Sequence, residues 1–98
     1  MKDIIQGKAF IVRSEKDYYK INKPVILIAR NTHPHVVIAI KKVKAIVTEI
    51  DNRLCHAAII SREYGIPLLM GVKNATKNFK TGDKVVADFN SKTICKTR

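Results

Sequence analysis

The feature that most constrains the fold is a short segment in which every residue is apolar. Residues 25–29 read Val-Ile-Leu-Ile-Ala, and Pro24 precedes them at a position where a strand tolerates proline. Because side chains alternate between the two faces of a strand, an uninterrupted apolar run requires cover on both faces. We therefore expect a strand inside a layered sheet, and residues 1–98 have the length of one small domain.

Strand-like and helix-like segments alternate through the middle of the chain, and strands flank them at both ends. We expect the other strands at residues 4–13, 45–48, 68–71, 85–89 and 92–95, the last two as a hairpin around Asn90-Ser91. Helices are expected after Pro34 and from about 56 to 64. We expect a short helix or turn from 74 to 79 and a loop or short irregular helix at 14–23. This order predicts an α/β fold with a mixed sheet, in which a small parallel core joins an antiparallel part.

Apolar residues recur at helical spacing in the two longer helical segments, and we expect them to face the core. They are Val36, Val37, Ile40 and Val43 in the first segment, and Ile59, Ile60 and Tyr64 in the second. Gly65 is expected to end the second helix in a left-handed conformation, and Pro67 prevents its continuation.

The chain is strongly basic, with a formal net charge of +11. Its lysines are scattered, and its few aromatic residues do not interleave with them as a base-stacking surface requires. We therefore do not expect nucleic-acid binding as the main function, whereas a basic surface suits a soluble domain or one that docks on an acidic partner.

The sequence also bears on cellular location. No stretch approaches the roughly 20 apolar residues of a membrane span, and the N-terminus shows no apolar signal region. We expect a cytoplasmic protein without a membrane partner, in which Cys55 and Cys95 are free thiols.

One histidine lies where a polar loop gives way to a helix. The turn-forming residues Asp51-Asn52-Arg53 follow an apolar run, and the helix is expected to open on His56. A helix start offers unpaired backbone N–H groups and the positive end of the dipole, which favour an anion and phosphate above all. A neutral imidazole nitrogen, available at neutral pH, is a nucleophile for phosphoryl transfer.

Four neighbours are candidates to support a phosphoryl group at His56. The guanidinium groups of Arg53 and Arg62 could contact phosphate oxygens. Thr48 offers a hydroxyl and Cys55 a weak S–H donor, although Cys55 could instead be a poor cap of the helix. From position alone, a histidine that merely caps the helix remains the alternative.

A metal site is not favoured, although His33, His35, Cys55 and His56 are all ligand types. Cys55 and His56 are adjacent and cannot easily ligate one ion together. We expect His33 and His35 to be solvated turn residues.

The sequence resembles the phosphohistidine swivelling domain, the mobile domain of the phosphoenolpyruvate-utilising enzymes such as pyruvate phosphate dikinase, phosphoenolpyruvate synthase and enzyme I of the sugar phosphotransferase system. The resemblance covers nearly the whole chain and is most specific from residue 48 to residue 67. The residues that carry it there are Thr48, Arg53, Cys55-His56-Ala57-Ala58-Ile59, Arg62-Glu63 and Gly65-Ile66-Pro67. Further matches are Gly7-Lys8-Ala9, Val25-Ile26-Leu27-Ile28, the turn Asn31-Thr32-His33-Pro34 and Thr81-Gly82-Asp83-Lys84-Val85.

This resemblance implies a three-layer β/β/α swivelling fold and a phosphoryl carrier phosphorylated on His56. The carrier would bind no cofactor itself. A partner protein with an ATP-grasp or a phosphoenolpyruvate- and pyruvate-binding domain would supply ATP or phosphoenolpyruvate as the donor. The domain would be a free-standing phosphotransferase component and not a complete enzyme.

The sequence departs from the family pattern at Asp51-Asn52, where the family usually has Gly-Gly. Asp and Asn are the non-glycine residues that best tolerate a left-handed backbone, so we expect the loop to keep its shape. A carboxylate near a phosphoryl group costs electrostatic energy, however. Two alternatives therefore stay open: a non-catalytic interaction module that keeps the fold, and one subunit of a split enzyme.

Overall fold

The computed structural model describes residues 4–97, which form a six-stranded sheet with helices packed on it. The strands are β1 (Ile4–Val12), β2 (Val25–Ala29), β3 (Val43–Thr48), β4 (Leu68–Leu69), β5 (Lys84–Asp88) and β6 (Thr93–Lys96). The α-helices of this part of the chain are α1 (His56–Tyr64) and α2 (Ala75–Asn78). Short 3₁₀ helices cover Glu15–Lys20, Pro34–Ile38 and Ile40–Lys42.

Strand β1 joins two parts of the sheet, whose strand order is β4-β3-β2-β1-β5-β6. The second half of β1 pairs in parallel with β2, with Ala9 opposite Ile26. Its first half pairs in antiparallel fashion with β5, with Ile4 opposite Asp88. Strands β3 and β4 extend the parallel part, and β6 extends the antiparallel part. The predicted mixed α/β sheet is confirmed.

Strand β2 is buried along its whole length, as its uninterrupted apolar sequence predicts. Leu27 belongs to a core that also contains Val36 and Ile60 from the helical side. Ile26 belongs to a second core, which it shares with Val85 of β5. The parallel strands therefore lie between a layer formed by α1 and the 3₁₀ helices and a layer formed by the antiparallel hairpin, on whose side α2 also packs through Ala75. This is the expected three-layer β/β/α arrangement.

The segment after Pro34 is wound more tightly than we expected. It forms 3₁₀ helices, in which side chains three residues apart share a face. Accordingly Val36 and Ala39 are buried, whereas Val37 is exposed. Val43 already begins β3. The expected burial of Val37 was therefore wrong, whereas Val43 is buried as expected, but in a strand and not in a helix.

Helix α1 covers the predicted residues but buries a narrower face. Ile60 is 5% exposed, whereas Ile59 and Tyr64 are each 48% exposed, so the expected burial of those two was wrong. Successive residues of an α-helix differ by about 100° around its axis, and the buried face of α1 includes Ile60 but leaves Ile59 at its edge. Gly65 ends the helix with φ 66°, as predicted.

Two smaller sequence predictions concern the cysteines and the membrane. Within residues 4–97, Cys55 is buried, Cys95 is exposed and both are free thiols, as expected. No helix in the same range is both long enough and apolar enough to cross a bilayer.

The two neighbouring isoleucines of α1 provide a matched test of this packing. We expect Ile60→Ala to lower the free energy of unfolding by about 2–5 kcal/mol, because it leaves a cavity in the core. Ile59→Ala removes the same atoms from a half-exposed site and should cost less than about 1 kcal/mol. Urea denaturation of both variants measures the difference, and equal losses would contradict the assigned helix orientation.

Candidate functional site

His56 is the first residue of α1, and its ring is held by a residue that follows β2. The Nδ1 atom of His56 lies 2.8 Å from the hydroxyl oxygen of Thr32. Thr32 is 5% exposed, and its backbone N–H donates to the side-chain oxygen of Asn31. The two residues are 24 positions apart in the sequence. Their contact therefore connects the start of α1 to the carboxyl end of the central strand β2.

The contact with Thr32 leaves the second ring nitrogen, Nε2, available for chemistry. Among the side-chain hydrogen bonds formed within residues 4–97, the ring of His56 uses Nδ1. If Nδ1 carries the proton and donates to Thr32, the lone pair of Nε2 is free and nucleophilic. If Thr32 donates instead, Nε2 carries the proton. The direction of this hydrogen bond therefore selects the reactive tautomer.

The first turn of α1 has the electrostatics of an anion site. Cys55 precedes the helix with an extended backbone, but its side chain makes no capping hydrogen bond. The first-turn N–H groups are left for water or an anion, at the positive end of the helix dipole. Cys55 itself is buried and belongs to the same core as Ala57 and Ala58.

Arg53 and Arg62 lie beside each other on the surface. The guanidinium Nη2 of Arg62 donates to the backbone oxygen of Arg53 at 3.2 Å. Both residues line a shallow cavity of about 270 Å³ with Ala58 and Met70. At about 100° per residue, Arg62 and His56 differ by about 120° around the helix axis. The structure thus brings the two arginines together but places Arg62 on a different helix face from His56.

Thr48 is fully buried at the end of β3. Its hydroxyl donates to the backbone oxygen of Ile50 at 2.9 Å, and its own backbone oxygen accepts the N–H of Val72. The observed role of Thr48 is to fix the path of the chain as it leaves β3 toward the loop before His56.

The loop at Asp51 and Asn52 keeps an ordinary backbone. Within residues 4–97, the non-glycine residues with positive φ are Asn74 and Lys92. Asp51 and Asn52 therefore do not use the left-handed backbone that their residue types would tolerate. Instead, the side-chain oxygen of Asn52 accepts the N–H of Leu54 at 2.8 Å, which closes a turn without glycine.

The carboxylate of Asp51 packs against Gly71. A Cβ atom on Gly71 would lie 3.0 Å from Oδ2 of Asp51, and Gly71 has φ 74°. Both space and backbone conformation thus favour glycine at residue 71. The side chain of Asp51 is therefore accommodated by the segment that follows β4.

The three histidines have three different partners. The hydroxyl oxygen of Tyr18 accepts the backbone N–H of His33 and lies 3.0 Å from its Nδ1. Tyr18 is buried, which raises its pKa. His33 is half-buried, so the expectation that it is solvated was wrong. His35 is exposed, as expected, and its Nδ1 lies 3.2 Å from a carboxylate oxygen of Glu15.

No group of three or more potential metal ligands occurs among residues 4–97.

Thr32 is the site residue that the sequence prediction missed. It belongs to the Asn31-Thr32-His33-Pro34 turn, which supported the family resemblance but was not assigned to the site. The available signal was that this turn follows a central strand, where functional residues of parallel sheets gather. Its pairing with His56 follows from tertiary structure and not from spacing.

Comparisons with known proteins identify the family of the chain. The family model described as "PEP-utilising enzyme, mobile domain" matches residues 21–92. The probable phosphoenolpyruvate synthase of Archaeoglobus fulgidus is 44% identical over 85 residues, which are 87% of this chain and 11% of that protein. The phosphoenolpyruvate synthase of Pyrococcus furiosus is 42% identical over 82 residues, which are 84% of this chain and 10% of that protein. The chain thus spans about a tenth of these relatives.

A solved structure shows the same similarity in three dimensions. The NMR solution structure of an enzyme I protein (nEIt) matches with a TM-score of 0.62 and 28% sequence identity. The match covers 78% of this chain and 32% of that one.

The hydrogen bond between Thr32 and His56 can be tested by substitution. We expect Thr32→Val to shift His56 from a single tautomer, with its proton on Nδ1, to a mixture in which the tautomer protonated on Nε2 predominates. Ring ¹⁵N chemical shifts measure the two populations. His35, which pairs with Glu15, serves as the internal control and should not change. An unchanged His56 tautomer would show that Thr32 does not determine it.

Proposed function

Because the chain belongs to the family of the mobile domain of PEP-utilising enzymes, we propose that it is a phosphoryl carrier. In this proposal Nε2 of His56 accepts a phosphoryl group at one site and passes it to an acceptor at another. The observation that carries the proposal is the 2.8 Å contact between Nδ1 of His56 and the hydroxyl of Thr32. A ring held through Nδ1 presents Nε2 for attack.

The proposed step is a nucleophilic displacement at phosphorus. The lone pair of Nε2 forms the N–P bond while the P–O bond to the leaving group breaks, and the electron pair of that bond leaves on oxygen. The proton on Nδ1 stays with the ring and is held by Thr32. The ring is then positively charged until it passes the phosphoryl group on or loses that proton. The uncapped first turn of α1 stabilises the phosphoryl charge.

A carrier of this kind needs donor and acceptor sites outside the domain. We propose that an ATP-grasp domain or a domain that binds phosphoenolpyruvate and pyruvate, on a partner protein, provides them, with ATP or phosphoenolpyruvate as the donor. The names of the relatives as phosphoenolpyruvate synthases support this assignment. The net charge of +11 favours docking on an acidic surface. A free-standing domain and a cytoplasmic location stay predictions.

The carrier function is tested by intact-mass analysis of the protein. We expect an acid-labile phosphoryl adduct after incubation with phosphoenolpyruvate or ATP in the presence of host cell extract, because the extract supplies the partner. His56→Ala should abolish the adduct. His35→Ala, which removes an exposed histidine elsewhere, should leave the adduct intact. A folded wild-type protein without adduct under all of these conditions would rule out the carrier function.

A second candidate function is a non-catalytic interaction module, and the carboxylate of Asp51 is the observation that favours it. This charge lies in the loop that leads to His56, where a phosphoryl group would be repelled.

In the other alternative, a split enzyme, the site would be intact but inactive until a second subunit binds. Co-purification of that subunit with this chain would identify a split enzyme.

The loop substitution Asp51→Gly with Asn52→Gly separates the two functions. If the chain is a carrier, we expect the double variant to be phosphorylated at least as fast as the wild type, because a repulsive charge is removed. An adduct formed by the variant alone would identify the present chain as a non-catalytic module with a decayed site. The matched variant Asp83→Gly, which removes a carboxylate from a distant turn, controls for net charge.

A further inference from the structure

A second feature at the carboxyl end of the parallel strands is a cavity of about 420 Å³. Its polar lining consists of Arg13, which follows β1, Arg30 and Asn31, which follow β2, and His33 and Thr76. The volume lies in the range of small-molecule sites. Ligands of open parallel sheets commonly bind at this edge.

The side chains that line the cavity have hydrogen-bond donors to spare. The guanidinium of Arg13 uses Nη2 to donate to the backbone oxygen of Thr76, and its other N–H groups remain. Asn31 uses its side-chain oxygen to accept the N–H of Thr32, which leaves its NH₂ group. Among residues 4–97, Arg30 forms no ion pair within 4.0 Å. The side-chain groups that Arg13, Arg30 and Asn31 can offer to a ligand are therefore all hydrogen-bond donors.

His33 adds a further donor. The hydroxyl oxygen of Tyr18 accepts the backbone N–H of His33, so the hydroxyl proton can be directed at Nδ1 of the same residue. A neutral His33 then carries its own proton on Nε2. A protonated His33 would donate from the same atom. Both forms suit an anion.

The carboxylates near the cavity are already occupied by donors of the protein. Oδ2 of Asp17 accepts the backbone N–H groups of Arg13 and Ser14. Oε2 of Glu49 accepts both the hydroxyl and the backbone N–H of Thr76. The bond from Arg13 lowers the pKa of Asp17, and the hydroxyl of Thr76 lowers that of Glu49. Both groups stay charged at neutral pH, and Glu49 also interacts electrostatically with Arg30. The hydrogen-bonded oxygens are engaged within the protein, and neither carboxylate forms an ion pair within 4.0 Å with Arg13 or Arg30.

We propose that this cavity binds a small phosphate-bearing anion, at a site separate from His56. Two guanidinium groups that reach one cavity from different strands match the several oxygens of a phosphate better than a single cation would. Asn31 and His33 flank Thr32, so the bound anion would contact the turn that holds the ring of His56. The inference does not require His56 to be phosphorylated.

The test is an NMR titration of the ¹⁵N-labelled chain with sodium pyrophosphate, with ionic strength held constant by sodium chloride. We expect saturable shifts of the backbone amides of Arg13, Asn31, His33 and Thr76. The same shifts should occur in His56→Ala, which separates this site from the carrier function. Shifts that do not saturate, or that spread over the lysine-rich surface, would overturn the proposal.

A matched pair of variants tests the lining. Arg30→Gln should weaken pyrophosphate binding about tenfold, because one charge-assisted contact is lost. Lys41→Gln removes the same charge from an exposed residue outside the cavity and should leave binding unchanged. Arg30 is preferable to Arg13, whose bond to Thr76 also holds α2. Equal effects of the two variants would overturn the proposal, and so would tighter binding of oxalate than of pyrophosphate.

Discussion

The burial of β2 on both faces is the constraint on which the rest of the structure depends. All of its side chains are buried, so one face requires α1 and the 3₁₀ helices and the other requires α2 and the hairpin of β5 and β6. With β2 in the middle, the parallel strands β1, β2 and β3 end at a common edge. The chain segments that leave these strands are therefore brought together there. The contact between Thr32 and His56 and the cavity beside Arg30 both result from this arrangement.

Sequence patterns were sufficient for the elements whose signals are local. The apolar run of β2, the glycine that ends α1 and the hairpin around Asn90-Ser91 all occur where the pattern places them. Patterns failed where two local preferences compete. After Pro34 an apolar cluster fits either an α-helix or a 3₁₀ helix, and the chain forms 3₁₀ helices before β3 begins at Val43. Likewise, only the packed sheet decides which neighbouring isoleucine of α1 is buried.

The candidate site was predictable only in part, for a related reason. A loop followed by a helix start identifies His56 from local sequence, but the residue that orients its ring comes from a turn 24 positions earlier. Conversely, nearness in sequence does not place Arg62 on the same helix face as His56. The hydroxyl of Thr48 is likewise used inside the chain, by Ile50. Proximity in sequence is thus a weaker guide to a site than position at a shared sheet edge.

Asp51 and Asn52 add a negative charge to a loop whose path is fixed by hydrogen bonds on both sides. The ladder between β2 and β3 continues into the loop, because the N–H of Ile50 donates to the backbone oxygen of Arg30. On the other side, the N–H of Gly71 donates to Ile50. Asn52 then closes the turn with its own side chain. Since the route to His56 is fixed by these bonds, glycine is not needed for the backbone, and Asp51 acts on phosphoryl transfer through the charge of its carboxylate, which packs on Gly71.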